Sequence, residues 1–552
     1  MADLDLDCDT VVIGSGAGGL AAAVALAQAG QRVRVLEQHY VPGGHLHSFT
    51  LGGYRFSPGV HYCGQLQPGG DFRKTLEGLG VAKHVTMLEL SRGGYEHVRW
   101  PGHTFDFPAG LDALTERFTS RYPNDARGIR DYLGLVEQVR IELMRVGESH
   151  GFIDTLTIPF RTLHMGRYGL SPLQRVLEAR VKDPEARALL SVQCGDHGLP
   201  PSRVPFALHA AVVGHYLEGG CYPMGGGGAL AKGFVRELEK AGGEVHLETR
   251  VKRILVEGRR VLGVELADGR TLRSRHVVSN ADPLVTYGAL VGEQHLPRGI
   301  KKKLESTEMS TSSLGLYLAV DLDLKALGLD SGNYWLCRTL DAEGTYQAIA
   351  KPEIADAPEC PGLFLNCTTL KDPSVFDGRH HVIEAFTFVP HQVFAKWAGT
   401  SPEARPPEYV ALKERLASQM IDLAETLIPN LRRHIVYQSV STPLTNQYYC
   451  EGTRGAMYGA AKIRSQIGPW AWGMKSPLEG LWLCGASVLG HGVHGASLSG
   501  LSTAAKLLDV RPSELLATKR AELKVLPCDD TRAWPPELLR TMSVRQQARA
   551  TA

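Results

Sequence analysis

Residues 8–38 read CDTVVIGSGAGGLAAAVALAQAGQRVRVLEQ, and this stretch restricts the fold more than any other. Val11, Val12 and Ile13 form the short apolar run of a strand buried on both faces, as in parallel sheets. Gly14, Ser15, Gly16, Ala17, Gly18 and Gly19 then satisfy G-x-G-x-x-G at Gly14, Gly16 and Gly19. Gly14 permits a tight turn, Gly16 lets the backbone approach a pyrophosphate, and Gly19 lets the next helix lie close on the strand. Leu20 to Ala29 is alanine-rich and helix-forming, with Gly30 placed to stop it. The free N–H groups at the start of that helix suit phosphates. The second strand, RVRVLE, ends in Glu37, where an acid is expected to hold a ribose hydroxyl pair, with Gln38 beside it. Strand, turn, helix, strand and terminal acid together predict an α/β chain with a dinucleotide-binding unit at its start.

At 552 residues the chain can hold more than one domain. It is 43% hydrophobic and 21% charged, a globular composition. A formal net charge of +2 gives no overall field toward nucleic acid, and none is expected as a partner. Ten cysteines stand singly, without a C-x-x-C pair, which favours reduced thiols over a disulfide framework or a zinc site. The opening MADLDLDCDT is acidic and lacks the apolar region of a secretory signal. No apolar run reaches the roughly 18 residues of a membrane span. The longest, Val204 to Leu217, contains His209 and His215 and reads as a buried helix or one lying against lipid. A cytoplasmic protein fits, with peripheral membrane contact left open.

After Glu37 comes QHYVPGGHLHSF, which places Gly43 and Gly44 shortly beyond the ribose acid. The longer stretch EQHYVPGGHLHSFTLGGYRFSPGVHY resembles retinol saturases and the carotenoid isomerase/phytoene desaturase family of FAD-dependent oxidoreductases. YPMGGGGALAKGF to HVVSNADP, SSLGLYLAVDLDL, TPLTNQYYCEGTRGAMYGA and LEGLWLCGAS to TAAKLL extend the resemblance over residues 8 to 510. It implies FAD as cofactor, in a Rossmann-type FAD-binding domain of the GR2, amine oxidase-like kind, interleaved with an α+β substrate domain. The implied flavin contacts are the Gly14–Gly19 turn, Glu37, Gln38, Gly43, Gly44 and His45. To these the resemblance adds Val251, through its backbone to the adenine, and Gly485, Ala486, Ser487, Val493 and His494 in the C-terminal run LCGASVLGHGVHGASLSG. Many relatives carry arginine or a small residue where this chain has His45, so an arginine–phosphate contact is not implied. Many also set an aspartate on the ribityl hydroxyls where this chain has Ser487 or its neighbour Ala486. Serine lacks the charge-assisted strength of a carboxylate, so FAD is expected to be held less tightly.

No other G-x-G-x-x-G follows a strand and opens a helix. A separate nicotinamide domain is therefore not expected, and electrons would pass to or from a diffusible donor or acceptor. The flavin parts are expected at 1–95, 218–290 and 445–510, and the substrate domain at 96–217 and 291–444. Beyond Val510 the arginine-rich tail, 511–552, lacks a sustained apolar pattern and is expected to pack loosely. Within it AWPPELLRTM suits a short helix with proline in its first turn.

The resemblance points to C=C chemistry on a long conjugated isoprenoid, a retinoid or carotenoid, with Val204–Leu217 and Leu314–Val320 as candidate linings of an apolar tunnel. Saturation is the leading expectation; desaturation and flavin-dependent polyene isomerisation stay open, as do amine oxidation and a non-catalytic lipid-binding flavoprotein. His61 and Tyr62, in SPGVHYCG, are candidates for the proton that saturation requires. His39, His45, His47 and His61 cluster in sequence, but without recurring acids or cysteines at ligand spacing no metal is expected. GASLSG does not place a serine as a nucleophile elbow would, which argues against a hydrolase.

Overall fold

The first strand is Cys8–Ile13, and its helix is Ala17–Gln28. That helix is buried on every face from Ala17 to Ala27, which identifies it as a core helix rather than an amphipathic one. Its small side chains let two other helices, Gly227–Lys240 and Gly492–Leu508, pack against it. At Gly500 a Cβ would sit inside van der Waals contact of the Gly18 carbonyl oxygen, so the two backbones touch directly.

The computed structural model describes residues 6–148, 157–540 and 542. Cys8–Ile13 is the middle of a parallel array, flanked by Val33–Leu36 and Thr271–Ser279. Glu244–His246 extends it beyond Val33–Leu36, and Leu481–Leu483 beyond Thr271–Ser279. Val12 stands level with Val35 on one side and Val278 on the other, so apolar residues run across the sheet where both faces are covered. The antiparallel strands Val251–Glu257 and Arg260–Leu266 complete a seven-stranded sheet. Residues from the start, middle and end of the chain thus share one sheet, because parallel neighbours need crossovers rather than hairpins.

A second seven-stranded sheet runs Ile435–Ser441, Ser313–Val320, His381–Phe388, Gly362–Cys367, Asn333–Cys337, Glu96–Trp100, His103–Phe107. Only the Asn333–Cys337/Glu96–Trp100 pairing is parallel. The stretch expected as a helix at Val204–Leu217 is helical over Phe206–Tyr216. It packs on the long helix Ala126–Gly147.

The loose packing expected of the tail is corrected by residues 511–540. Lys524–Pro527 adds a parallel strand to Thr86–Glu89, Cys528 and Trp534 are buried, and the Trp534 indole N–H donates to the Pro527 carbonyl oxygen at 2.8 Å. Residues 536–540 form the short helix with proline in its first turn. Polar surface hides this segment in the sequence, because only one edge of its strand is paired and few of its side chains are buried. Trp534→Ala should lower the unfolding free energy by about 3–5 kcal/mol, read by urea denaturation; a change under about 0.5 kcal/mol would mean that the tail does not pack.

Candidate active site

A cavity of about 1460 Å³ runs from the carboxyl ends of the parallel strands to the face of the second sheet. Single-ligand pockets are typically about 300–1,000 Å³, so there is room for a dinucleotide and a second long molecule. Its position at the carboxyl ends of parallel strands is where open α/β sheets bind ligands.

At one end the wall is backbone. Gly14, Gly16, Ala17 and Gly18 line the cavity, facing Gly43 and Gly44. Gly14 has φ +88° and Gly43 φ +127°, conformations that side chains disfavour. A Cβ on Gly44 would lie 3.4 Å from Gly16 Cα, so the two glycine turns are near neighbours. Ser15 and Gly19 do not reach the cavity. The Ser15 hydroxyl donates to Glu37 Oε2 at 2.6 Å and accepts the Gly43 N–H at 2.9 Å, tying Glu37 to both turns. The Ser15 N–H also donates to Glu37 Oε2, and the His39 N–H to Oε1, each at 2.9 Å. A carboxylate has about four acceptor positions, so Glu37, on the cavity wall with Gln38, keeps capacity for hydroxyls. Gly19 acts in packing: its Cβ would strike the Gly14 carbonyl oxygen.

Asn280, which the sequence reading did not single out, stands at the centre of this end. It follows the strand Thr271–Ser279 and packs against Gly14, Gly16, Gly18 and Gly485. The only sequence signal is its place as the first residue beyond that strand, level with the glycine turn. Gly485 itself (φ +90°) lies off the cavity and lets the chain turn over Asn280. Val251 is on the wall, as are Ala486, Ser487, Val493 and His494. The Ser487 oxygen accepts the Ala460 N–H at 3.0 Å, so the hydroxyl expected to serve a ribityl chain is partly engaged by the protein. His45 also lines the cavity, its Nδ1 3.7 Å from Cys450 Sγ, and desolvation lowers its pKa, leaving a neutral ring that cannot replace an arginine.

Toward the second sheet the wall is apolar, with polar groups set into it. His61 packs beside the stacked pair Phe364 and Phe386, ring centroids 5.0 and 5.5 Å away. Asn366 Nδ2 is 3.1 Å from His61 Nδ1 and donates to the Glu384 carbonyl oxygen at 3.2 Å. A carbonyl oxygen only accepts, so the amide nitrogen must lie on this side. His61 Nδ1 therefore accepts, and the ring proton is on Nε2. Burial pulls His61 down to about 3 and pushes Glu384 up to about 7. Glu384 Oε1 accepts the Ser57 N–H, while Oε2 is buried without a partner, 3.7 Å from His61 Nδ1. Lys371, also buried, donates to the His61 carbonyl oxygen at 2.6 Å and to Asn333 Oδ1 at 2.5 Å. Tyr62 stacks on Tyr216 at 4.0 Å and donates to Asp196 Oδ2 at 3.3 Å. Burial holds its phenol well above the ordinary range. Glu384, Asn366 and Lys371 went unnoticed in the sequence because strand pairing alone brings them beside His61, more than three hundred residues away.

The glycine cradle, the terminal acid and the cavity's size fit FAD, and the fold and site define an FAD-dependent oxidoreductase. The chain belongs to the flavin-containing amine oxidoreductase family, whose model matches residues 17–324. It is 30% identical to the all-trans-retinol 13,14-reductase of Rattus norvegicus, over 87% of this chain and 82% of that protein. It is 26% identical to the chloroplastic prolycopene isomerase of Daucus carota, over 87% and 76%. A crystal structure of an oxidoreductase from Methanosarcina mazei shares the fold, with a TM-score of 0.62 at 19% identity over 90% of this chain and 99% of that one.

The cradle makes a discriminating prediction. An alanine at Gly16 would place its Cβ 2.6 Å from Asn280 Nδ2, whereas at Gly18 it would also meet Gly485 Cα at 2.8 Å and the Ala496 carbonyl oxygen at 2.9 Å. Gly16→Ala and Gly18→Ala should each lower bound FAD, measured by absorbance. Adding Asn280→Ala should restore binding to the first and not to the second.

Proposed function

We propose that this chain reduces a C=C bond of a long conjugated isoprenoid, a retinoid in the first instance. The observation that carries this reading is a polar proton-bearing group set into an otherwise apolar cavity arm beside the flavin cradle. Support comes also from the rat relative, which is named a retinol reductase. Ser313, Gly315 and Tyr317 face the cavity from their strand, while Leu314, Leu316 and Leu318 pack into the core behind, the alternation of a strand with two different faces. The expected tunnel residues of Leu314–Val320 therefore divide between lining and core. Leu143, Met144, Met165, Leu170, Leu208 and Val212 line the arm that reaches the surface between three helices. Phe160 and Leu163 beside it are 80% and 67% exposed, an apolar rim suited to taking an insoluble substrate from a lipid surface. Among the described residues no helix is long and apolar enough to cross a membrane.

Held by the Gly14–Gly18 and Gly43–Gly44 turns, FAD reduced by a diffusible donor would supply a hydride to one carbon of the double bond. The other carbon needs a proton, and His61 can give it from Nε2. As that proton leaves, the Asn366 amide releases Nδ1, which takes a proton from Glu384 Oε2, so the imidazole stays neutral and the carboxyl becomes the carboxylate. The 3.7 Å gap between them must shorten with substrate in place, as catalytic hydrogen bonds commonly do. Phe364 and Phe386 pack against the ring and exclude water that would compete for the proton.

Glu384 normally titrates near 4.5 and is raised to about 7. It carries a proton to give below about 7 and loses it as pH rises through that value, so saturation should decline over that range. Glu384→Gln should slow product formation in single turnovers by about 10²–10⁴-fold, with FAD content unchanged. The reaction itself is tested by mixing the reduced holoenzyme with all-trans-retinol or prolycopene and analysing products by mass and absorbance. Gain of two hydrogens with absorbance at shorter wavelength supports reduction. An isomer of unchanged mass would instead favour the chemistry named for the carrot relative, and a fully FAD-loaded protein that converts neither would overturn the proposal.

A further inference from the structure

Among the described residues two lysines are buried, Lys371 and Lys462, and they differ in what surrounds them. Lys371 has two oxygen acceptors and lies in the field of Glu384 and Glu96. Lys462 is 5% exposed and lines the cavity, yet among the described residues no carboxylate lies within ion-pair distance and no hydrogen bond reaches its side chain. Burial alone pulls it from 10.5 to about 7. A buried charge without a partner is costly, and a chain does not keep one on a cavity wall without an occupant to answer it.

The backbone around Lys462 is held in place. The Ala460 N–H donates to Ser487 Oγ at 3.0 Å, the Ala461 N–H to the Glu308 carbonyl oxygen at 2.9 Å, and the Ser310 N–H to the Gly459 carbonyl oxygen at 2.8 Å. Gly459 (φ +69°) has no room for a Cβ against Ser487. The segment is thus clamped to the loop that follows Gly485. On the far side of that loop the helix Gly492–Leu508 begins, with no acid in its first turn. Its unpaired N–H groups and positive dipole end add to the same electrical sign. His491, at the N-cap, lies in the field of Lys462 and is buried against the Asp196 backbone. The wall therefore offers positive potential and donors, with no anion of its own.

We propose that Lys462 supplies the positive charge that holds the reduced, anionic form of the FAD ring against the wall formed by residues 485–494. The proposal rests on the flavin reading of the cavity. The oxidised ring is neutral, and taking up two electrons and one proton leaves it with one negative charge. The protonated lysine on the wall then binds the reduced form more tightly than the oxidised one and raises the midpoint potential. The enzyme thereby collects electrons from a modest donor and holds the reduced cofactor until a polyene arrives.

The test is potentiometric titration of the FAD-loaded wild type, Lys462→Met and Lys462→Arg. Lys462→Met should lose about tenfold of its preference for reduced over oxidised FAD, which is about 30 mV downward for a two-electron couple. Lys462→Arg, whose charge does not titrate, should keep that preference. Above about pH 7 the wild-type potential should fall more steeply with pH than that of either variant, because reduction there also returns a proton to Lys462. The spectrum of the reduced flavin gives an independent reading: the pH at which it changes from anionic to neutral should be higher in Lys462→Met. The methionine variant should fold, since it removes an unpaired buried charge, and its apo form should melt above the wild type. FAD-loaded wild type and Lys462→Met with equal potentials and equal reduced-state spectra would overturn the role of Lys462 and leave the flavin site standing. A wild type that binds no FAD would overturn both.

Discussion

The cofactor end depends on one constraint: backbone must meet backbone around Asn280. The Gly14–Gly19 turn, the Gly485 turn and the helix Gly492–Leu508 approach so closely that Gly18 and Gly500 have no space for a methyl group. Gly19 closes the same contact from inside, against the Gly14 carbonyl oxygen. Because these segments come from opposite ends of the chain, their contact also closes the sheet by bringing Leu481–Leu483 beside Thr271–Ser279. The strands fix where their carboxyl ends lie, and the glycines leave backbone exposed to the cavity beside the helix termini.

From that end the cavity's character changes. The cradle presents N–H groups and the carboxylate Glu37, whereas the arm toward the second sheet is walled by Phe364, Phe386, Met165 and Val212. Ionisable groups set into the apolar part are displaced toward neutrality: His61 is unprotonated, Glu384 keeps its proton to about pH 7, and Lys462 loses its own there. In water these groups would all carry charge in ordinary ranges or sit idle. Desolvation turns one carboxyl into an acid useful near neutrality and one ammonium into a charge awaiting an anion.

The C-terminal residues changed meaning most. The Ser487 oxygen takes a backbone N–H from Ala460 rather than being left for a ligand alone. The same bond fixes the segment that carries Lys462. An engaged Ser487 hydroxyl and a wall that carries Lys462 thus come from one local arrangement.

Much of the nucleotide site could be read directly from sequence, because its parts are local. A strand, a glycine turn and a helix follow one another without interruption, and the backbone conformations that only glycine tolerates leave a mark at each position. Glu37, Gly43, Gly44 and His61 lie within a few dozen residues of that turn, so they too could be named. What tertiary structure alone decided was which distant residues those would meet. Asn280 reaches the glycines because Thr271–Ser279 pairs with Cys8–Ile13. Glu384 and Asn366 reach His61 because two neighbouring strands run antiparallel with Asn366 level with Glu384. Lys462 faces a cavity rather than solvent because Ser487 holds its backbone inward. Each of these is an ordinary polar residue in sequence, and its chemistry follows from long-range pairing and burial, which no local pattern records.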